Sequence, residues 1–109
     1  MIHIIDNDHT DFNALIKQDK ITLVDFWADW CKPCKILAPI IEQLSEDMGE
    51  TINIIKVDVD ANPNISKEFG IKNIPTCLIF KEGEVIDKTV GAVPLTHFKE
   101  KINKHLTKN

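Results

Sequence analysis

The sequence predicts a single α/β domain over residues 1–109, in which strands and helices alternate before the chain closes with a hairpin and a helix. Three observations predict this class. Apolar runs rich in isoleucine and valine alternate with segments whose apolar residues recur at helical spacing. A glycine-containing turn at residues 81–84 joins the last two runs, so these must be antiparallel, whereas the early strands can be parallel with right-handed crossovers. The length of 109 residues suits one domain with a real core.

The composition is ordinary for a globular protein, with 43% hydrophobic and 28% charged residues. A formal net charge of −4 and the lack of a concentrated basic face argue against general binding to nucleic acids or anionic membranes. No apolar run approaches the ~18 residues of a membrane span, and the N-terminal apolar stretch is too short for a signal peptide. We therefore expect a cytoplasmic protein with no nucleic-acid or membrane partner.

The first part of the chain is predicted to form two strands and a short helix. Residues 2–5 are a short apolar run typical of an edge strand, and the Asp-Asn-Asp sequence at residues 6–8 indicates a turn with capping side chains. Apolar residues at helical spacing predict an amphipathic helix from about His9 to Gln18. Residues 21–28 are nearly continuously apolar, as in a strand covered on both faces, so this strand should be central in the sheet.

A long helix and a third strand follow. Apolar residues from Pro33 to about Met48 form a helical stripe. Pro39 lies inside this stripe and should kink the helix, because proline removes a backbone donor, and Gly49 suits the C′ position after it. Residues 51–59, rich in isoleucine and valine, predict the strand.

The last elements are a short helix, a hairpin and a C-terminal helix. Asn62 and Pro63 are typical of the N-cap and first position of a helix, which Gly70 closes. Residues 77–80 and the run from Val85 onward predict the hairpin strands. One face of the C-terminal helix carries Leu95, Phe98, Ile102 and Leu106.

A Cys-x-x-Cys pair, Cys31 and Cys34, stands between the central strand and the long helix. The first sulfur faces the free N–H groups at the helix start, which stabilise a thiolate, so Cys31 is the predicted nucleophile. Cys34, one turn deeper, would resolve the mixed disulfide. From the residues alone, the pair could also be structural cysteines or half of a zinc site. The remaining zinc ligands would have to come from Cys77, His3, His9, His97 and His105.

Asp25 is a carboxylate within the apolar central strand. Because both faces of this strand should be covered, burial should raise the pKa of Asp25. From the residues alone, Asp25 could be a hydrogen-bonded structural aspartate or the partner of Lys56 in a neighbouring strand. Cys77 is interpreted as a small buried hydrophobe in preference to a regulatory thiol.

These residues belong to a wider set of motifs whose order and spacing resemble the thioredoxin family over nearly the whole chain. The matching positions are 24–28, 30–31, 33–35, 39, 56–60, 62–63, 69–71, 74–76 and 90–92. Two residues depart from the family pattern: Lys32 stands where glycine is usual, and Cys77 where an aliphatic residue is frequent. Because Lys32 departs from the family pattern, the resemblance does not fix the reduction potential of the cysteine pair. A more oxidising thiol-disulfide oxidoreductase is therefore the nearest alternative function.

The resemblance implies the thioredoxin fold, a mixed five-stranded sheet with four helices packed on both faces and the cysteine pair at the carboxyl end of the sheet. It implies a protein disulfide reductase in which Asp25, partnered by Lys56, assists proton transfer involving Cys34. It also implies tuning of the site by Lys32, Pro33 and Trp27. Substrates would dock on a rim formed by Trp30, Ile74, the cis-proline Pro75, Val90, Gly91 and Ala92.

The partners implied by the resemblance are disulfide-containing substrate proteins and an NADPH-dependent flavoprotein, thioredoxin reductase, which would recharge the dithiol. The protein itself would be a monomer and would carry no bound cofactor and no metal. An alternative from a different class is a binding subunit that uses the same fold without turnover. The intact cysteine pair argues against that alternative.

Overall fold

The computed structural model describes residues 2–5 and 9–106. The strands and helices follow one another in the predicted order. The elements are β1 (Ile2–Ile5), α1 (His9–Ile16), β2 (Ile21–Trp27), α2 (Lys32–Met48), β3 (Ile52–Asp58), α3 (Pro63–Glu68), β4 (Thr76–Lys81), β5 (Glu84–Val90) and α4 (Leu95–Leu106). The capping turn expected at residues 6–8 lies outside the described residues.

Within the described part of the chain, the sheet has five strands in the order β1-β3-β2-β4-β5. Strand β3 is parallel to both β1 and β2, whereas β4 is antiparallel to β2 and β5. The mixed sheet, the edge position of β1, the central position of β2 and the closing hairpin are thereby confirmed. The central strand ends next to the cysteine pair.

Helices cover both faces of the sheet because successive residues of its strands point to opposite sides and both sides are apolar. On one face, Leu23 of β2 packs with Leu37 of α2 and Phe98 of α4. On the other face, Phe26 of β2 packs with side chains of α1 and α3. Each such fully buried side chain contributes about 1.5–3 kcal/mol. Asp25 shares the alternation of Leu23 and therefore lies on the face that α2 and α4 cover.

Helix α1 ends at Ile16, earlier than the predicted Gln18. Two carbonyl groups at this end accept hydrogen bonds from the turn between β4 and β5. The N–H of Gly83 donates to the Ile16 oxygen at 2.8 Å, and the N–H of Glu82 donates to the Gln18 oxygen at 3.3 Å. These carbonyls are therefore satisfied without further helical turns.

Helix α2 ends differently from the expectation for Gly49. Gly49 is the C-cap residue, with a φ angle of −61° in the right-handed region, so the prediction that it takes the C′ position is wrong. Instead, the N–H of Thr51 donates to the Met48 oxygen at 2.9 Å, which satisfies a terminal carbonyl within a right-handed turn. Pro39 lies inside α2, which is one continuous helix from Lys32 to Met48. The kink at this proline stays a prediction.

The start of α3 follows the prediction in position but not in capping. Asn62 is the N-cap residue before Pro63, yet its side chain does not cap the helix. Its Nδ2 donates to the carbonyls of Ile5 at 3.2 Å and Asp58 at 3.1 Å, and so ties the end of β1 to the end of β3. Gly70 follows the helix at φ +62°, a conformation that favours glycine, and ends it as predicted.

Candidate redox-active site

The cysteine pair lies at the junction of β2 and α2, where Cys31 is the N-cap of the helix. A disulfide joins it to Cys34, with 5.2 Å between their Cα atoms. The backbone N–H of Cys34 donates to the Cys31 sulfur at 3.2 Å. The first N–H groups of a helix have no partners within it, so a sulfur at the N-cap takes the place of the usual side-chain oxygen. The same donors and the helix dipole would stabilise this sulfur as an anion.

Both cysteines are nearly enclosed, Cys31 being 4% exposed and Cys34 5% exposed. Between them in sequence, Lys32 and Pro33 are exposed. The apolar side chains that pack around the pair are Trp27, Ala28, Val59 and Ile74. The disulfide therefore lies in an apolar setting, and exposed lysines adjoin it in sequence at Lys32 and Lys35.

Asp25 lies in the middle of the sheet, directly between Lys56 of β3 and Cys77 of β4 in the strand register. Its side chain is 1% exposed. Burial raises the pKa of Asp25 to about 6, although the positive charge of Lys56 and a hydrogen bond from Cys77 act in the opposite direction. A carboxyl group with this pKa can gain or lose a proton near neutral pH, as proton transfer in catalysis requires.

Lys56 acts on Asp25 through its charge and not through a contact ion pair. Within the described residues, no ion pair of 4.0 Å or less joins the two side chains. The Lys56 ammonium lies 4.8 Å from the centroid of the Trp27 ring, whose face attracts a cation. Trp27 is half-buried, and its Nε1 has no hydrogen-bond partner in the described part of the chain. Trp27 therefore helps to fix where this charge lies.

The side chains of the expected docking rim differ in exposure. Trp30 is 70% and Val90 50% exposed, and Ala92 is also exposed. Ile74 and Gly91 are half-buried, and Pro75 is buried. Trp30, Val90 and Ala92 therefore offer most of the free side-chain surface.

Two loops meet beside the disulfide. The Ile74–Pro75 peptide bond is cis, and Ile74 packs against the two cysteines. The N–H of Gly91 donates to the Pro75 oxygen at 2.9 Å. Gly91 has φ +94°, where other residues would be strained. This hydrogen bond holds the loop that begins after β5 against the loop before β4. Val90, the last residue of β5, directly precedes Gly91.

Comparison with known proteins identifies one family. The thioredoxin family model matches residues 3–104. This chain belongs to the thioredoxin family. A thioredoxin of Chlorobaculum thiosulfatiphilum is 49% identical over 92 residues, which are 84% of this chain and 85% of the relative. A thioredoxin of Bacillus subtilis is 45% identical over 86 residues, 79% and 83% of the two chains. The crystal structure of a Malassezia sympodialis thioredoxin matches with a TM-score of 0.88 at 37% identity, covering 95% of this chain and 92% of that one.

Membership of the thioredoxin family, together with the Cys31–Cys34 pair, makes this protein a thiol-disulfide oxidoreductase that reduces disulfides in other proteins. The predictions of family, fold and enzymatic function are confirmed, in preference to a binding subunit without turnover. The pair stores two electrons as a dithiol and releases them when the disulfide forms.

Two further residues, Cys77 and Asp60, contact residues of the thioredoxin site. The thiol of Cys77 lies 3.9 Å from the Asp25 carboxylate. The carboxylate of Asp60 accepts a hydrogen bond from the Trp30 indole. A signal for Asp60 was available, because it follows β3 and parallel strands bring their carboxyl ends to the same edge of a sheet. The contact of Cys77 depends on the β2–β4 register, for which the sequence carries no local signal.

Three of the five side chains considered as zinc ligands have other contacts, and one of these is Cys77 beside Asp25. The side chain of His9 lies outside the described residues. His97 Nε2 lies 3.2 Å from the Thr89 hydroxyl, and His105 Nε2 lies 2.9 Å from the Asp87 carboxylate. Among the side chains of residues 2–5 and 11–106, no group of three or more histidine, cysteine, aspartate or glutamate side chains is arranged to hold a metal ion. In the same residues, no helix is both long and apolar enough to span a bilayer.

Proposed function

We propose that Cys31 is the attacking cysteine of this thioredoxin-family reductase and that Cys34 is the resolving one. The observation that carries this assignment is the hydrogen bond of 3.2 Å from the Cys34 N–H to the Cys31 sulfur at the helix N-cap. It gives Cys31 a backbone donor that would favour its thiolate. Cys34 has no corresponding cap position, because it lies inside the first turn.

The proposed reaction has two steps. The Cys31 thiolate attacks a substrate disulfide, so that a mixed disulfide forms and one substrate sulfur leaves as a thiolate and takes a proton from water. Cys34 then loses its proton and attacks the Cys31 sulfur, which releases the second substrate sulfur and closes the Cys31–Cys34 disulfide. Two electrons have passed from the protein to the substrate.

Asp25 is the group that we assign to the proton of Cys34. It lies on the face of β2 that α2 covers, and α2 carries Cys34 in its first turn. Its pKa of about 6 allows it to act as a base near neutral pH. Lys56, the neighbouring cation in the sheet, favours its ionised form.

Substrate proteins would dock on the exposed side chains of Trp30, Val90 and Ala92, with Ile74, Pro75 and Gly91 beneath them. The neighbouring residues Lys32, Pro33 and Trp27 would tune the site. Recharging would need a thioredoxin reductase, which takes its electrons from NADPH through a flavin. The protein would act in the cytoplasm as a monomeric single domain without a cofactor of its own.

The assignment of the two cysteines is tested by trapping. Cys34→Ser should attack a protein disulfide such as that of insulin and remain joined to it, whereas Cys31→Ser should form no adduct and reduce no insulin. Non-reducing electrophoresis and mass spectrometry would identify the bond. The Cys31→Ser/Cys34→Ser double variant, which retains Cys77, is the control and should capture nothing. Capture by Cys31→Ser but not by Cys34→Ser would reverse the roles.

A further inference from the structure

A buried thiol and a buried carboxylate face each other on the side of the sheet that α2 and α4 cover. Cys77 of β4 is the register partner of Asp25 of β2, and each is 1% exposed. The Cys77 sulfur lies 3.9 Å from Oδ1 of Asp25, within reach of a weak hydrogen bond to a large atom such as sulfur. In residues 2–5 and 9–106, it is the only group that hydrogen-bonds to this carboxylate.

While Asp25 is ionised, the thiol can act only as the donor in this contact. Burial raises the pKa of Cys77 well above its ordinary value, and the negative charge of Asp25 raises it further. Cys77 therefore keeps its proton at physiological pH. An ionised carboxylate has no hydrogen to donate, so the S–H points its proton at the Asp25 oxygen.

In the oxidised protein, the other described side chains around Asp25 form no second hydrogen bond to it. From β3, Lys56 contributes a positive charge but no contact ion pair. From α2 and α4, the side chains on this face are apolar, Leu37 and Phe98 among them, apart from Cys34 in the first turn of α2. A charged oxygen buried in such a place is costly unless a hydrogen bond compensates it.

We infer that Cys77 is a positioning residue for disulfide exchange, whose thiol donates to the Asp25 carboxylate and holds it ready to accept a proton. This inference rests on the role proposed above for Asp25. An aliphatic residue in the place of Cys77 would cover the carboxylate without donating to it. Cys77 would then extend downward the pH range in which Asp25 serves as a base.

The test is the titration of the Asp25 carboxyl carbon by NMR in the oxidised protein, which needs no turnover. Cys77→Ala should raise the midpoint by about half a pH unit, since a thiol is a weak donor. Cys77→Ser adds a hydroxyl donor to a side chain of almost the same size as alanine and should return the midpoint toward the wild-type value. The alanine and serine variants leave nearly the same cavity, so the effect of the cavity on the Asp25 midpoint cancels when the two variants are compared. Cys77→Val, which fills the volume without a donor, gives the same test if the alanine variant does not fold.

Ile79→Val is the matched control, because Ile79 lies on the same strand and in the same apolar cluster without a polar contact. It should lower stability and leave the Asp25 midpoint unchanged. An unchanged midpoint in Cys77→Ala, or equal shifts in the alanine and serine variants, would overturn the inference.

Activity separates the two proposals. The acid limb of the insulin-reduction rate should shift with the Asp25 midpoint in Cys77→Ala, and Asp25→Asn should abolish that shift. If the midpoint moves and the rate profile does not, the role of Asp25 in proton transfer fails while its contact with Cys77 stands. If the midpoint does not move, the contact fails, whatever Asp25 does in the reaction.

Discussion

The indole nitrogen of Trp30 donates a hydrogen bond of 2.9 Å to the carboxylate of Asp60, although the Trp30 side chain is 70% exposed. Asp60 is itself held, because its backbone N–H donates to the Asp58 carboxylate at 2.9 Å. An aromatic ring fixed in this way presents a flat apolar surface whose side-chain freedom is already restricted before a partner binds.

Asp60→Ala should therefore raise KM for a protein disulfide about two- to fivefold with little change in kcat, because the free ring must be ordered on binding. Asp60→Asn, which keeps an oxygen acceptor but removes the charge, is the matched control and should lie close to wild type. NMR relaxation of the Trp30 indole N–H reports the mobility of the ring directly. A raised KM with unchanged ring mobility would assign the effect to the lost charge.

Asp25→Asn should slow insulin reduction and increase stability. Ionising Asp25 costs folding free energy as the pH rises from its ordinary pKa of 3.8 toward about 6 in the folded protein, and the cost stays constant above that. Asparagine avoids this cost, so the gain in unfolding free energy should be about 2.5 kcal/mol larger at pH 8 than at pH 4. Denaturant titrations of the oxidised wild-type and Asp25→Asn proteins at pH 4 and pH 8 measure this gain. A gain that is the same at the two pH values would contradict the buried, ionisable state of Asp25.

Asp87→Asn should destabilise the docking of α4 on the sheet. Although burial acts in the opposite direction, hydrogen bonds from Lys101 at 2.7 Å and His105 at 2.9 Å lower the pKa of Asp87 well below its usual range. The stabilisation is therefore present above about pH 4 and lost as the pH falls through the acidic range. We expect a loss of about 1 kcal/mol at pH 7 that shrinks toward pH 2.

Asp47→Asn provides the matched control for this ion pair. Asp47 of α2 forms an ion pair with Lys99 of α4, the helix that also carries Lys101 and His105. The side chains of Asp47 and Lys99 are each about a third exposed. Solvent screens such a pair, so its loss should change the unfolding free energy much less than the loss of Asp87. Equal losses in the two variants would argue that the burial of Asp87 adds nothing to its contacts.

Lys32→Gly should lower the reduction potential and the fraction of Cys31 present as thiolate. Lys32 is exposed and lies next to Cys31, and its ammonium favours the thiolate, which only the reduced state holds. The attraction between exposed charges is worth about 0.3–1 kcal/mol, which converts to a shift of roughly 10–20 mV. The redox equilibrium and the thiol titration would be measured at low and high salt, where the effect should shrink. A shift that salt does not change would point to the backbone at this position.

The order of elements was predictable because each strand and helix carries its own period of apolar residues. The cysteine pair was predictable for the same local reason, since both residues lie within one helical turn of a strand end. The burial of Asp25 also followed from its neighbours, as nearly every residue around it in β2 is apolar. These are properties of short segments, which a sequence displays directly.

What could not be predicted depends on pairs of segments or on local competition for donors. The contact of Asp25 with Cys77 requires the antiparallel register of β2 and β4, and a slip of one residue would turn Cys77 to the other face. Asparagine is a common helix N-cap residue, yet the side-chain amide of Asn62 donates to the carbonyl of Ile5 in β1, far away in sequence. Gly49 is able to adopt a left-handed conformation, but the bond from Thr51 to Met48 makes it unnecessary.

The central position of β2 has a consequence for synthesis of the chain. Strand β2 and the two cysteines leave the ribosome before strand β4 (Thr76–Lys81), which pairs with β2 on the side opposite β3. Until that strand emerges, Asp25 is hydrated on one side and the reactive thiols lack their enclosing loop at Ile74. The nascent chain thus has accessible thiols before its active site is complete. In that interval the thiols are open to reaction with cellular oxidants and with neighbouring nascent chains.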